Sequence, residues 1–311
     1  MNVLVAGGAG YVGGALTDAL LSTDHKIRVL DLLLYEDTYR KPIEFINGDV
    51  RSIEDLRPQL QWADCVVWLA ARVAEATCDL DPEGAEQVNA KSVATLSKYF
   101  GGRIVFTSTA AVYGRNPAVL TEESPLEPRT LYSQTKVAAE RHLARKNAMI
   151  FRLGTLYGVG DLFSRPRFDL AVNTMTLAAS TTRKITVFGG RQFRPLLHVR
   201  DAADAIAAAI GDPTGGVYNL VGENLQISEL ASKLRRHFSD LSIETLPEQG
   251  QFESYRMSAE RARASLGFSP RRSVDEGITE VRQLVESGRI RDLASVRFRN
   301  HLALRLDGSQ R

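Results

Sequence analysis

The sequence contains little of what disulfides, metal centres or nucleic-acid binding require. Its 311 residues include two cysteines, Cys65 and Cys78, which form no CxxC motif, and five histidines without metal-ligand spacing. We therefore expect free thiols in a reducing cytoplasm and no bound metal. The formal net charge of +2 argues against nucleic acid or an anionic membrane as the main partner. No signal-peptide pattern opens the chain, and no apolar run is long enough to span a membrane.

Strand-like and helix-like segments alternate through the first half of the chain. The predicted strands are Val3–Ala6, Ile27–Asp31, Glu44–Asp49, Cys65–Leu69, Arg103–Thr107 and Ala148–Arg152. This βαβ alternation predicts an α/β fold, a Rossmann-type doubly wound parallel sheet with right-handed crossovers. The rhythm changes after about Tyr157, so we expect one domain over residues 1–157 and a smaller C-terminal lobe over 158–311, with the chain crossing back between them. The arginine-rich stretch after Gly288 is weakly patterned, which suits a surface tail or an oligomer contact.

A glycine-rich loop lies between the first predicted strand and the first predicted helix. It places Gly7, Gly10 and Gly13 around the pair Tyr11-Val12. Such glycines permit a sharp turn, a close approach of the backbone to a pyrophosphate and tight packing of helix on sheet. The helix N-terminus then offers free N–H groups and a positive dipole end. Because the loop has a strand before it and a helix after it, it predicts a dinucleotide site rather than a ligand-free turn.

Asp31 ends the second predicted strand. A carboxylate there accepts hydrogen bonds from both ribose hydroxyls of NAD and repels the additional phosphate of NADP. The alternative is a solvated aspartate at a strand end. Following the glycine loop, Asp31 favours NAD as the cofactor.

The most informative chemical pattern is Tyr132 followed by Lys136, which share one face of a predicted helix. A nearby ammonium lowers the pKa of a phenol, as does the positive charge of an oxidised nicotinamide, so we expect Tyr132 to exchange a proton with a substrate hydroxyl while hydride moves. Lys136 also suits a hydrogen bond to the nicotinamide ribose. Thr109, just past the fifth predicted strand, is placed to orient the reacting oxygen. The alternatives are an amphipathic surface helix and a turn threonine.

With these motifs in order, the sequence resembles the extended short-chain dehydrogenase/reductase family, in its NAD-dependent nucleotide-sugar epimerase and dehydratase branch. The resemblance covers almost the whole chain. It implies that the first domain binds NAD and carries Thr109, Tyr132 and Lys136 as catalytic residues. It adds to the cofactor site Asp49, Val50, Leu69, Ala70, Ala71, Asn89 and Thr107.

The resemblance also implies that the smaller lobe binds the nucleotide of the substrate. The implied substrate residues are Arg72, Thr109, Asn173, Val187 and Arg194, with Asn173 on a phosphate and Arg194 on the diphosphate. For Asn173 and the neighbouring Phe188, plain packing is the alternative. The family further implies a homodimer through the helices after Cys78 and around Tyr132.

Two departures from the family pattern bear on the reaction. Dehydratases of the family carry acidic residues after the catalytic hydroxyl, where this chain has Ala110 and Ala111, so 4,6-dehydration is not expected. Many epimerases have an arginine and an aspartate on the diphosphate where this chain has Glu248, Gln249, Gly250 and Gln251. Arg256 and Arg261 are the candidates to replace that clamp.

We therefore predict an NAD-dependent enzyme that epimerises a nucleotide-activated sugar through a transient keto intermediate. The near alternative is a net dehydrogenase or reductase of a keto-sugar or another secondary alcohol. A third hypothesis, of another class, is a catalytically silent NAD-binding sensor or scaffold. The Tyr132–Lys136 pair argues against that third hypothesis, since a silent protein does not need it.

Overall fold

The computed structural model describes residues 1–248 and 254–308, with side chains described up to residue 305. The strands are β1 (Asn2–Ala6), β2 (Lys26–Asp31), β3 (Glu44–Asn47), β4 (Cys65–Trp68), β5 (Arg103–Thr109), β6 (Val119–Leu120), β7 (Ala148–Leu153), β8 (Thr155–Tyr157), β9 (Lys184–Phe188), β10 (Phe193–His198), β11 (Gly216–Leu220), β12 (Glu223–Gln226), β13 (Ser242–Leu246) and β14 (Arg256–Met257). The helices are α1 (Tyr11–Leu20), α2 (Ile53–Trp62), α3 (Glu75–Leu80), α4 (Pro82–Glu86), α5 (Ser92–Tyr99), α6 (Leu131–Leu143), α7 (Ala171–Thr182), α8 (Val199–Gly211), α9 (Ile227–His237), α10 (Glu260–Leu266), α11 (Val274–Glu286) and α12 (Asn300–Gly308).

A seven-stranded parallel sheet forms the centre of the first lobe, in the order β11-β7-β5-β4-β1-β2-β3. The strand order reverses beside β1, which has β2 on one side and β4 on the other. At such a switch point the connections diverge to opposite faces and leave a crevice at the carboxyl ends of the strands. The α/β fold class and the parallel sheet predicted from the sequence are thereby confirmed.

The chain does not pass from the first lobe to the second at a single boundary near residue 157, because two later elements return to the first lobe. Strand β11 comes from the second half of the sequence and pairs with β7. Helix α8 packs on α1, and its Ala202 and Ile206 are fully buried with Leu16 of α1 in one apolar cluster. A strand and a helix from the C-terminal half therefore complete the first lobe.

The second lobe has its own apolar core. The three-stranded sheet β12-β10-β8 and the pair β13-β9 pack with helices α7, α9 and α11. Its buried side chains include Tyr157, Val172, Leu234 and Ile278. The lobe stands beside the carboxyl edge of the central sheet, because β8 follows β7 after a single residue, Gly154.

The C-terminal stretch packs against the body of the protein. Phe298 is 7% exposed and Leu304 is 8% exposed, and α12 contacts α3. The weak sequence pattern of this segment gave no sign of that packing. Within the described ranges, no helix is long and apolar enough to cross a membrane. In the same ranges, no cluster of three or more His, Cys, Asp or Glu side chains could hold a metal ion.

Candidate active site

A cavity of about 500 Å³ lies at the carboxyl ends of the central strands, between the two lobes. It brings together most of the residues predicted from the sequence. Those that line it are Gly7, Gly10, Tyr11, Val12, Gly13, Asp31, Asp49, Val50, Leu69, Ala70, Ala71, Arg72, Thr107, Thr109, Tyr132 and Lys136. Asn89, Asn173, Val187 and Arg194 lie outside this lining.

The glycine loop has the close contacts that a dinucleotide-binding turn requires. Gly7 has a φ of +83°, and a Cβ there would come within 2.5 Å of the backbone nitrogen of Ala70. A Cβ at Gly13 would come within 2.5 Å of the carbonyl oxygen of Gly8. Gly10 differs, since a Cβ there would meet only the carbonyl oxygen of Gly7, at 3.4 Å. Gly7 therefore permits the tight turn after β1, and Gly13 permits the close packing of α1. At Gly10 the absence of a side chain leaves the backbone accessible from the cavity.

Asp31 is held at the end of β2 by two backbone N–H groups. Ala9 donates to one carboxylate oxygen at 3.0 Å, and Leu33 donates to the other at 2.8 Å. Burial raises the pKa of Asp31, and these backbone hydrogen bonds counteract the rise. The hydrogen bond from Ala9 fixes the Asp31 carboxylate to the glycine loop. The predicted ribose ligand and the predicted pyrophosphate loop therefore hold each other in place.

Tyr132 and Thr109 reach the cavity from two different elements. Thr130 caps α6 through a reciprocal hydrogen bond with Ser133, which fixes the first turn that carries Tyr132. Burial raises the pKa of the Tyr132 phenol to about 12, against the effects of a hydrogen bond with Thr109 and the charge of Arg167. For the protein's own side chains, burial thus outweighs the two effects that lower this pKa. The lowering expected from Lys136 and from the charge of an oxidised nicotinamide stays a prediction.

Lys136 is 3% exposed and lies one helical turn after Tyr132. Its ammonium lies 4.2 Å from the centroid of the Phe106 ring. Burial lowers the pKa of Lys136 to about 7, while the Glu140 carboxylate acts in the opposite direction. An anionic or hydrogen-bonding group entering the cavity would therefore strengthen the charged form of this side chain.

A buried polar network supports the far side of α6. Glu140 accepts hydrogen bonds from Arg152 at 3.1 and 2.6 Å and another from the Ser108 hydroxyl. Arg152 also donates to the Tyr113 hydroxyl at 2.9 Å, and Tyr113 donates to Asn219 at 2.7 Å. The network joins β5, β7, β11 and α6.

Asn89 acts behind the cavity wall. It is 1% exposed and lies in a π-helical turn over Gln87–Lys91. Its amide accepts a hydrogen bond from the Arg72 backbone N–H at 2.8 Å, and donates to the Arg72 carbonyl at 2.9 Å and to Thr135 at 3.1 Å. Asn89 thus positions the loop after β4 against α6, and its contact with the cofactor stays a prediction. The Arg72 side chain pairs with Asp81.

The predicted substrate residues of the second lobe are mostly engaged elsewhere. Asn173 is 1% exposed, accepts a hydrogen bond from the Gly158 N–H and donates to the Arg167 carbonyl. Val187 is 3% exposed in the core of the second lobe. Arg194 donates to the Phe193 carbonyl at 3.0 Å. Direct contact of these side chains with substrate stays a prediction, and the geometry of Asn173 and Val187 favours packing.

The predicted loss of a phosphate clamp falls partly outside the described residues, since Gln249, Gly250 and Gln251 are not among them. Neither proposed replacement lines the cavity. Arg256 donates to the Pro117 carbonyl at 2.9 Å, and Arg261 pairs with Glu123. Sequence reasoning missed other side chains that do line it: Tyr35, Glu36, Thr155, Arg165, Arg167, Asp169, Tyr255 and Asn300.

Comparison with known proteins identifies the family to which this chain belongs. Residues 3–221 match the model of the NAD dependent epimerase/dehydratase family. The chain belongs to this family. Its predicted resemblance to extended short-chain dehydrogenases/reductases is thereby confirmed, as is NAD as its cofactor.

Curated relatives span nearly the same length as this family member. A putative UDP-glucose 4-epimerase of Methanocaldococcus jannaschii is 26% identical, covering 90% of this chain and 96% of the relative. A UDP-glucose 4-epimerase of Corynebacterium glutamicum is 26% identical, with 92% and 94% covered. A dTDP-glucose 4,6-dehydratase of Streptomyces niveus is also 26% identical, with 90% and 91% covered. Identity at this level does not separate the reactions.

Solved structures share the fold. The UDP-glucose 4-epimerase of Thermus thermophilus in complex with NAD superposes with a TM-score of 0.80 at 24% identity, covering 93% of this chain and 100% of that one. A dTDP-glucose 4,6-dehydratase of Streptomyces venezuelae with NAD bound gives 0.81 at 23% identity, with 93% and 98% covered.

Proposed function

We propose that this protein is an NAD-dependent epimerase of a nucleotide-activated sugar, working through a transient keto intermediate. The observation that carries the proposal is one cavity that holds Thr109, Tyr132 and Lys136 together with the glycine loop, and has Ala111 on its wall. The first four features supply a site for hydride and proton transfer. The alanine supplies no acid or base for elimination of water.

The chain's own residues account for the proton. When bound, oxidised NAD accepts a hydride and brings a positive charge that favours the phenolate form of Tyr132. Thr109 and Tyr132 then hold the sugar hydroxyl between them, and the phenol oxygen takes its proton. After the keto sugar has turned over in the cavity, return of the hydride to the opposite face of its carbonyl carbon, together with return of the proton to the same oxygen, gives the epimer and leaves the cofactor unchanged. Lys136 contributes a cationic donor beside the phenol.

Ala110 and Ala111 argue against 4,6-dehydration. They form the first residues of a 3-10 turn that follows Thr109 directly. Ala110 is 2% exposed, and Ala111 lines the cavity. Dehydration needs an acid to protonate the leaving hydroxyl and a base to remove a carbon-bound proton, and a methyl group performs neither task.

A panel of nucleotide sugars tests the proposal. The purified holoprotein is incubated with UDP-glucose, UDP-N-acetylglucosamine, UDP-glucuronic acid and dTDP-glucose, and both the sugar products and the absorbance of NADH are followed. We expect an isomeric product with unchanged cofactor. Stoichiometric NADH identifies the net dehydrogenase instead, and a 4-keto-6-deoxy product contradicts the argument from Ala110 and Ala111. The homodimer and the cytoplasmic location stay predictions.

A further inference from the structure

The loop after β2 depends on other elements for its position. Strand β2 ends at Asp31, the predicted ribose ligand, and residues 32–43, all of them described, contain no helix or strand. Residues 32–36 line the cavity. The backbone N–H of Leu33 donates to Asp31, and the N–H of Glu36 donates to the Leu33 carbonyl at 3.3 Å. Whatever holds this loop therefore also fixes the cavity wall beside Asp31.

The carboxylate of Glu36 is the point at which two distant parts of the chain reach this loop. One oxygen accepts a hydrogen bond from the backbone N–H of Arg165 at 2.7 Å. The other lies 2.7 Å from Nη2 of Arg297, and the Glu36 side chain is only 12% exposed. Arg165 belongs to the segment of the second lobe between β8 and α7, and Arg297 belongs to the C-terminal stretch. A single carboxylate thus joins both parts to the cofactor side of the cavity.

The Arg165 side chain also lies at the cofactor end of the cavity. The residue is 7% exposed, and its guanidinium lies 4.1 Å from the centroid of the Tyr35 ring. Its Nη1 donates to the Arg297 carbonyl at 2.8 Å, and its Nη2 donates to the side-chain oxygen of Asn300. Tyr35, Arg165 and Asn300 all line the cavity. The C-terminal stretch therefore holds Arg165 in place beside the loop after β2.

Residues 296–300, the C-terminal clasp, dock on the second lobe through packing and hydrogen bonds. Phe298 is 7% exposed, and its ring meets the ring of Phe168 edge to face. The Phe168 N–H donates to the Phe298 carbonyl at 2.9 Å. The Asn300 N–H donates to the Asp169 carboxylate, also at 2.9 Å. The clasp is thereby bound to the second lobe and to the loop after β2 at the same time.

A buried lysine holds the far end of the same loop. Lys41 is 7% exposed, and its ammonium lies 2.6 Å from the carboxylate of Asp161, in the second lobe. The ammonium also donates to the Thr17 hydroxyl at 2.8 Å and to the Gly14 carbonyl at 2.5 Å, both on α1. The loop is therefore bound to the second lobe near both of its ends. It moves away from the cavity only when contacts of this kind break.

These contacts enclose the end of the cavity that receives the cofactor. The glycine loop, in which a Cβ at Gly7 or Gly13 would clash, and the carboxylate of Asp31 fit a dinucleotide. NAD is the cofactor of the family to which the chain belongs. We propose that Arg297 and Asn300 are positioning residues of the NAD site, and that NAD is released only when the C-terminal clasp detaches. The inference goes beyond the proposed function, because it concerns the release of NAD whichever sugar reacts.

Retention of NAD bears on the two reactions considered above. An epimerase restores its cofactor within each turnover and has no need to release it. A net dehydrogenase must exchange NADH for NAD in every turnover, so detachment of the clasp would limit its rate. A clasp beside the cofactor therefore suits the epimerisation that we propose.

The test measures how fast labelled NAD leaves the protein. Wild type and variants are loaded with radiolabelled NAD and mixed with an excess of unlabelled NAD, and the label that stays on the protein is followed by rapid filtration. Phe298→Ala removes the ring that docks the clasp, and Phe298 does not line the cavity, so the variant acts on the clasp and not on NAD directly. We expect release to be roughly 10-fold faster or more, since lost contacts act mainly on dissociation rates.

A matched control separates the clasp from the stability of the lobe. Phe238→Ala makes the same chemical change at a side chain that is 2% exposed in another apolar cluster of the second lobe. Both variants lose packing of a similar kind, but only Phe298 belongs to the clasp. We expect Phe238→Ala to release NAD at the wild-type rate. Equal acceleration in both variants overturns the inference, because it attributes the effect to general loosening of the lobe.

A charge variant tests the contact with Glu36 and leaves the apolar packing in place. Arg297→Met removes the pair with Glu36, and Arg297 does not line the cavity. We expect faster release of NAD, whereas Arg297→Lys, which keeps the charge, should restore slow release. Wild-type release in both Phe298→Ala and Arg297→Met overturns the inference. Failure of the proposed function would show itself differently, as a protein that holds NAD but converts no sugar of the panel.

Discussion

The ion pair behind α6 should be one of the most sensitive points of the fold. The side chains of Arg152 and Glu140 are only 6% and 7% exposed, and three hydrogen bonds of 2.6, 3.1 and 3.3 Å join them. Glu140→Gln leaves the guanidinium of Arg152 buried with no carboxylate to compensate it. Breaking a buried pair in this way costs about 3–5 kcal/mol of the free energy of unfolding.

Denaturant unfolding of the holoprotein measures this cost, with the same excess of NAD in every sample so that the contribution of cofactor binding is constant. The matched control is Glu286→Gln. Glu286 pairs with Arg282 at 2.8 Å, but their side chains are 44% and 37% exposed. An exposed pair of this kind contributes at most about 0.5 kcal/mol. The difference between the two variants isolates the effect of burial, because the chemical change is the same.

Replacement of both partners separates loss of the pair from loss of packing. Glu140→Leu with Arg152→Met removes both charges and keeps apolar volume, so it should be more stable than Glu140→Gln alone. A loss below about 1 kcal/mol for Glu140→Gln would refute the argument, since it would mean that water reaches Arg152.

Three further predictions concern the catalytic cavity. Tyr132→Phe should keep NAD affinity and abolish turnover in the nucleotide-sugar panel, since it removes only the proton-carrying oxygen; an active variant contradicts the proposed role. The wild type should bind NAD more tightly than NADP in calorimetry, and Asp31→Ser should reduce that preference; equal affinities in the wild type contradict the role of Asp31. In NAD-free protein, Lys136→Met should raise the melting temperature most near pH 7 and progressively less towards pH 9. The Lys136 pKa is about 7 when folded against an ordinary 10.5, so above pH 7 the unfolded wild type binds more protons and wild-type stability rises with pH. An advantage that does not shrink over this pH range contradicts the burial of Lys136.

The dinucleotide half of the cavity was predictable because its signals are local. Gly7, Gly10 and Gly13 lie within seven consecutive residues, in the loop that joins β1 directly to α1. Asp31 ends a strand that pairs with β1 in register, so its place beside the glycine loop follows from the topology of any doubly wound sheet. The structure bears out that expectation with the hydrogen bond from Ala9 to Asp31.

Two features of the site depend on more than the spacing of residues along the chain. A motif fixes the position of a residue along the chain but not the direction of its side chain. The amide of Asn173 is bound to the backbone of Gly158 and Arg167, and its contact with a phosphate stays a prediction. The spacing of Tyr132 and Lys136 indicates a charge near a phenol, but the pKa of that phenol also depends on its access to water. Burial raises it to about 12, and sequence spacing carries no measure of burial.

The part of the cavity that no motif predicted is built by contacts between residues that lie far apart in the sequence. Every member of a family that shares a reaction needs the proton-transfer groups and the dinucleotide loop, so those features recur as readable patterns. Selection among substrates depends on differences in affinity, and these come from the side chains that contact the substrate away from its reacting atoms. Arg165, Arg167 and Asn300 line the cavity outside every motif, and they meet because the C-terminal stretch folds back against the second lobe. Contacts across about 130 residues leave no periodicity in the sequence, and so the arginine-rich stretch after Gly288, for which we expected a surface tail or an oligomer contact, contributes Asn300 to the wall of this cavity.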